Sequence, residues 1–243
     1  MRLAVISDIH GNFRALQAVL ADIDLAGADH IVSLGDNIGY GPEPEEVVRT
    51  LVDRGIRSVM GNHELALKTD SYLQRLNPAT RQSLEITRRL MGEETMEFCV
   101  SLPLNLEQHD ALFVHGCPPT SCTTYLWSPS VTRLERLFST FSARVCFYGH
   151  THDMTCFIAR ENTFSAVKVK PGISEISKPC RYLINPGSVG QPRDGLSNQA
   201  KYLLWDTGLN CFENRAVPYD VQATVDLINE RGFPEFNGQR LLW

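Results

Sequence analysis

The chain has 243 residues, of which 43% are hydrophobic and 21% charged, with a formal net charge of −5. That acidic balance argues against long duplex nucleic acid, because binders that rely on their own lysines and arginines are basic. No stretch approaches the roughly 20 apolar residues of a membrane span, and the apolar run before Asp8 is too short for a signal peptide. The seven cysteines are scattered without a CxxC pair. They suit a reducing cytosol better than a disulfide framework, so a cytoplasmic location is expected.

Leu3–Ile6 reads as a strand buried on both faces, and it leads into Asp8-Ile9-His10. After a cap at Asn12, the residues Phe13, Leu16, Val19, Leu20 and Ile23 fall at helical spacing, ending near Gly27. A strand over His30–Leu34 leads into Gly35-Asp36 and a glycine-rich loop ending at Pro42. Pro44 opens a helix bearing Val47, Val48, Leu51 and Val52, and a third strand over Ile56–Met60 runs into Gly61-Asn62-His63-Glu64. This β-α-β-α-β order predicts parallel strands joined by right-handed crossovers.

Residues 65–103 read as an inserted helical cover with starts at Asn77-Pro78 and Gly92-Glu93, and no chemistry is expected of it. A hairpin joins Leu104–Gln108 to Ala111–Val114 through His109-Asp110, and its second strand leads into His115-Gly116. A helix follows Ser130 with Val131, Leu134, Leu137, Phe138 and Phe141 on one face. The run Arg144–Tyr148 then leads into Gly149-His150-Thr151-His152. Beyond it, Thr155–Ala159, Phe164–Val169, Arg181–Ile184, Lys201–Trp205 and Cys211–Val217 have the spacing of a second, largely antiparallel sheet. A helix over Tyr219–Arg231 and a tail over Phe233–Trp243 close the chain. No repeat or linker divides it, so one domain over 1–243 is expected. The expected fold class is α/β, a four-layer α/β/β/α sandwich of two stacked mixed β-sheets flanked by helices.

Five strand-like runs thus end in Asp, Asn or His, at the sheet edge where open α/β folds bind ligands. In an extended chain residues i and i+2 point the same way, which pairs Asp8 with His10 and His150 with His152. The candidate ligands are Asp8, His10, Asp36, Asn62, His115, His150 and His152. Seven are too many for one tetrahedral ion, and a carboxylate can bridge, so two ions ~3.5–4 Å apart are the natural count. Two Asp among neutral ligands leave a surplus of about +2, which suits a phosphate group. Taken singly, Asp8 could cap a helix, Gly35-Asp36 could be a turn, and Asn62-His63-Glu64 could open a helix. The combination decides, because five of the seven histidines fall at these strand ends.

These motifs, in this order and rough spacing, resemble the signature of the calcineurin-like metallophosphoesterase superfamily. Gly39-Tyr40-Gly41-Pro42 and Asn185-Pro-Gly-Ser-Val-Gly-Gln-Pro-Arg-Asp194 are similar to its small bacterial branch of phosphodiesterase-like members, and the similarity runs to about residue 220. The resemblance implies that Asp8, His10 and His152 hold one metal, Asn62, His115 and His150 a second, and that Asp36 bridges. It implies that a metal-bridging hydroxide attacks phosphorus while His63 protonates the leaving group, with Glu64 in support. Two divalent transition-metal ions (Mn, Fe, Ni or Zn) are implied, and imidazole-rich ligation suits them better than Mg or Ca.

One departure bears on substrate. Protein Ser/Thr phosphatases of the superfamily carry Asp-Arg-Gly where this chain has Gly39-Tyr40-Gly41. The arginine that clamps a phosphomonoester is missing there, and Arg193 is the candidate substitute. Tyr40, Tyr125 and Trp127 are candidate rim residues that could stack on a nucleobase. The expected reaction is therefore phosphodiester hydrolysis on small, nucleotide-type substrates. The alternatives are a phosphomonoesterase or a non-catalytic scaffold. No membrane partner is expected, and an oligomer is compatible with the sequence.

Overall fold

The computed structural model describes residues 1–169 and 171–242; Trp243, the last residue of the expected tail, lies outside them. The alternation read at the amino terminus forms as β1 (Arg2–Ile6), α1 (Phe13–Ala26), β2 (His30–Ser33), α2 (Pro44–Asp53) and β3 (Arg57–Ser58). Asn12 caps α1 by accepting from the Ala15 N–H, and Gly27 ends it in the left-handed conformation that glycine adopts without strain. β1, β2 and β3 run parallel, with Leu3 opposite His30 and Val32 opposite Arg57. The third strand is shorter than expected, because the Met60 N–H leaves the sheet to donate to the Pro103 carbonyl.

The expected cover folds as α3 (Asn62–Lys68), α4 (Asp70–Leu73), α5 (Pro78–Leu90) and α6 (Glu93–Ser101). These helices bury Ala66, Leu67, Leu73, Leu84 and Cys99 against Ile38 and Val48 of the amino-terminal half. The hairpin of β4 (Asn105–Gln108) and β5 (Ala111–Val114) follows, then α7 (Val131–Ser139) and β6 (Val145–Phe147). His109 and Asp110 both have positive φ, as a two-residue hairpin turn requires.

The later strands are β7 (Thr155–Arg160), β8 (Thr163–Lys168), β9 (Gly172–Glu175), β10 (Cys180–Asn185), β11 (Ala200–Asp206) and β12 (Cys211–Val217). They do not form one antiparallel sheet. One six-stranded sheet has the order β3-β2-β1-β11-β12-β9 and the other β4-β5-β6-β10-β7-β8. Burial explains the division. β11 is buried along nearly its whole length, which demands a central place, and it takes one between β1 and β12. Both sheets are consequently mixed.

The sheets stack face to face over a shared core that includes Leu3, Val5, Phe113, Phe147, Ile184, Leu203 and Trp205. α1 and α2 cover the outer face of the first sheet, and α7 covers that of the second. The four-layer α/β/β/α sandwich is the observed architecture. The expected tail is not loose. After α8 (Val221–Glu230) it forms α9 (Glu235–Gln239), and Phe233 and Leu241 are buried against Ile86, Val225 and Ile228. No helix among the described residues is long and apolar enough to cross a membrane.

Candidate metal centre

The carboxyl ends of β1, β2 and β3 in one sheet, and of β5, β6 and β10 in the other, meet at one edge of the sandwich. Backbone hydrogen bonds knit their loops together. The Asp8 N–H donates to Gly35 O (3.1 Å), His10 N–H to Asp36 O (2.9 Å), Gly149 N–H to His115 O (2.7 Å) and Gly190 N–H to Asp8 O (3.0 Å). All seven expected ligands are buried at this junction.

The i, i+2 pairs meet for a different reason from the one expected. Asp8, His10, Asp36, His150 and His152 all have φ between 50° and 68°, so they sit in left-handed turns, not extended strands. Each such residue costs of the order of 1–3 kcal/mol and persists only where the surroundings enforce it.

Every imidazole of the cluster is anchored on one nitrogen and bare on the other. Nδ1 of His10, His115 and His152 faces the carbonyls of Ile38 (3.1 Å), Leu34 (2.9 Å) and Gln191 (2.6 Å), while Nε2 of His150 faces that of Thr123 (3.3 Å). A carbonyl can only accept, so these nitrogens carry the protons, and in the neutral ring the opposite ones present lone pairs. The bare Nε2 atoms of His10 and His152 are 3.1 Å apart. Asp8 Oδ1 approaches the latter at 3.2 Å without hydrogen-bond geometry and is left buried with no donor.

The second group repeats the pattern. His115 Nε2 lies 3.1 Å from His150 Nδ1, 3.2 Å from Asn62 Oδ1 and 3.3 Å from Asp36 Oδ2. One proton on His115 could satisfy one of those three acceptors, whereas a cation satisfies them all. Asp8, His10 and His152 have donor atoms mutually within 4.8 Å, as do Asp36, His115 and His150, and as do His10, Asp36 and His63. Asp36 belongs to two of the three groups. The residues present therefore fit two adjacent cations.

Charge follows the same logic. Burial alone would raise Asp8, but His152 outweighs it and holds the carboxyl below its usual range; His115 and His63 do the same for Asp36. Burial, reinforced by His115, pushes His150 down to about 3. Burial also lowers His10, His63 and His152. At His115 burial is overcome by Asp36, then Asp8 and Glu64, and the imidazole is pushed up to about 9. The positive charge that the carboxylates draw onto His115 is the charge a bound cation would supply instead.

His63 stands beside the cluster, with Nε2 3.9 Å from Asp36 Oδ2 and its N–H donating to Asp36 Oδ1 (2.9 Å). Its ring abuts Gly39, where φ is +126° and an added Cβ would clash with His63 Nδ1 and Cε1. Gly39→Ala is expected to tilt His63 out of place while leaving metal content unchanged. Kinetics on substrates with poor leaving groups would read this as a loss approaching that of His63→Ala. Unchanged selectivity between good and poor leaving groups would refute it.

Glu64 does not face the cluster. Its Oε1 accepts from Asn37 N (2.7 Å) and Nδ2 (3.2 Å), and its Oε2 accepts from Asp36 N (3.0 Å) and Gly61 N (2.9 Å). Burial and then Asp36 push its carboxyl up to about 7. It stands behind Asp36 as a clasp.

The Tyr40 ring centroid lies 4.7 Å from that of His10 and 4.6 Å from that of His63. Tyr125 stacks on His150 at 3.6 Å, and Trp127 stacks on Tyr125 at 5.5 Å. Tyr125 and Trp127 remain 42% and 54% exposed, so the stack presents an open aromatic face. Arg193 Cζ is 6.0 Å from the Tyr40 ring. His30 and His109, the two histidines away from the strand ends, stack on each other at the opposite end of β2. Sequence reasoning missed Gln191, whose carbonyl orients His152, and Arg240 of the tail, which reaches Gln191. The motif Asn185–Asp194 contains the first without singling it out, and no local signal marks the second.

Comparison with known proteins identifies the family. The chain is 34% identical over 244 residues to an uncharacterised protein of Methanocaldococcus jannaschii, covering 98% of this chain and 96% of the relative. A crystal structure of a metallophosphoesterase from Sphaerobacter thermophilus superposes with a TM-score of 0.84 at 34% identity, covering 99% of this chain and 98% of that one. A hypothetical protein from Pyrococcus horikoshii shares the fold with a TM-score of 0.80 at 18% identity, covering 99% and 97%. The calcineurin-like phosphoesterase superfamily domain matches residues 1–208, and the chain belongs to that family of phosphoester hydrolases.

Proposed function

We propose that the chain is a two-metal phosphodiesterase acting on small, nucleotide-type substrates. The observation that carries this reading is the junction of two buried ligand groups, Asp8–His10–His152 and Asp36–His115–His150, with Asp36 Oδ2 also 3.8 Å from His10 Nε2. Asp8, His10 and His152 would hold one transition-metal ion, Asn62, His115 and His150 the other, and Asp36 would bridge them. Bound there, the two ions supply Lewis acidity and positive charge toward a phosphate ester. His63 is the proton donor to the leaving oxygen, because it is within reach of the cluster and is not anchored to a carbonyl as the ligands are. Glu64 is a positioning residue, holding the Asp36 and Gly61 amides that set the bridge. The carbonyl hydrogen bonds orient the imidazoles before substrate arrives.

A diester is favoured because Gly39-Tyr40-Gly41 stands where protein phosphatases of the superfamily carry the arginine that clamps a monoester. Relative kcat/KM for bis-p-nitrophenyl phosphate and p-nitrophenyl phosphate, on protein loaded with defined metals, tests the choice. A monoester preference would transfer the reading to phosphomonoesterase, and inactivity toward both with two ions bound would leave a scaffold. The nucleotide assignment rests on the Tyr125–Trp127 stack. Base stacking is worth ~1–3 kcal/mol, so Trp127→Ala should raise KM for nucleotide diesters roughly tenfold and leave bis-p-nitrophenyl phosphate nearly unaffected. A lower melting temperature with equal effects on both substrates would mean that Trp127 only packs.

A further inference from the structure

The loop that carries Gln191 and Arg193 is fixed to the cluster. The Gln191 carbonyl accepts from His152 Nδ1 (2.6 Å), and the Arg193 N–H donates to the His152 carbonyl (3.1 Å). The Gln191 side chain gathers two cations, since its Oε1 accepts from Arg193 Nη2 (2.5 Å) and from Arg240 Nη1 (3.4 Å). Two guanidinium groups therefore converge on one neutral oxygen.

Among the described residues, neither guanidinium has a carboxylate partner. Asp194, the acid nearest in sequence, is taken by buried Lys201 at 3.0 Å. Arg193 Nε is buried with no hydrogen-bond partner at all. Two like charges and an unpaired buried donor are costly to hold together, and an arriving anion would relieve both costs.

The position is built. Asn237 Nδ2 donates to the Tyr40 carbonyl and to Ser83 Oγ (3.0 Å each), which pins α9 to the loop beside the cluster. Leu241, next to Arg240, is buried against α5 and α8. Arg240 Cζ lies over the Phe236 ring at 4.3 Å, and Arg193 Cζ faces the Tyr40 ring whose other neighbours are His10 and His63. The arginine pair is thus one aromatic ring away from the metal cluster.

We propose that Arg193 and Arg240, gathered on Gln191, form a second anion subsite that takes a phosphate of the substrate other than the one being cleaved. Planar guanidinium forks suit phosphate oxygens better than a point charge does. The proposal rests on the phosphoesterase reading above and narrows its substrate class to compounds with at least two phosphates, such as nucleoside di- or polyphosphate esters.

The test compares AMP with ADP, which differ by one phosphate, by calorimetric binding to full-length metal-loaded protein with free metal ion held constant. ADP should bind roughly tenfold or more tightly than AMP, as expected for charged hydrogen bonds. Arg240→Ala should remove most of that advantage, and Arg240→Lys should keep part of it. A purely structural Arg240 would lower the melting temperature and leave the ADP-to-AMP ratio unchanged, which would overturn the proposal, as would a wild-type protein that does not distinguish the two. If neither nucleotide binds, the nucleotide reading fails by itself. Orthophosphate against pyrophosphate, in the same variants, then decides the subsite by the same ratio.

Discussion

Asp36→Asn should strip metal from the folded protein and lower its activity further than any other single ligand change. Asp36 Oδ2 lies 3.3 Å from His115 Nε2 and 3.8 Å from His10 Nε2, so it touches both halves of the cluster, while Oδ1 accepts from the His63 N–H. An amide would keep the shape but replace an anionic oxygen with an N–H₂ group aimed at, or away from, lone pairs that it cannot bridge. Losing an outer partner of a ligand already costs ~10–100-fold in metal affinity or activity; losing the shared carboxylate should exceed that. Asn62→Ala removes one neutral oxygen from one half only and should cost less. Elemental analysis and circular dichroism on the same samples check this. Two ions retained by Asp36→Asn, or a larger loss in Asn62→Ala, would refute the bridge.

His63→Ala separates proton donation from metal binding. General acid catalysis is typically worth ~10²–10⁴-fold, and that range is the expected loss on substrates with alkoxide-like leaving groups. p-Nitrophenyl esters need little protonation and should lose far less. The His63 side chain has no carbonyl anchor of the kind the four cluster imidazoles share, and its Nδ1 is buried without a partner. Metal content should therefore stay at two per chain. A lost ion, or equal losses on good and poor leaving groups, would make His63 a ligand and not an acid.

The convergence of Asp8, His10, Asp36, Asn62, His115, His150 and His152 was legible because an apolar run that stops abruptly at a polar residue marks a strand end. The geometry that joins them was not. Positive φ at five non-glycine residues leaves no trace in hydrophobic periodicity, since loop contacts impose it from outside. Local starts such as Asn77-Pro78 and Ser130 were read correctly because a cap is a property of neighbouring residues. The partition of β7 to β12 between two sheets was misread for the opposite reason. β1 pairs with β11 across the length of the chain, Leu3 opposite Trp205, and such pairings carry no local mark. The docked tail escaped notice likewise, because Phe233 and Leu241 find their partners on α5 and α8.

Each half of the cluster draws on both sheets. Asp8, His10, Asp36 and Asn62 follow strands of the first, and His115, His150 and His152 follow strands of the second. Neither sheet alone offers a complete set of ligands, so on this reading the binding pocket comes into being only when the two have docked. Non-local pairings form slowly, and the last step of folding would also be the step that creates affinity for the ions. Cations held there would act as rivets between the layers. Metal uptake then becomes a measure of completed folding, and a chelator should loosen the sandwich as a whole before it disturbs any single helix.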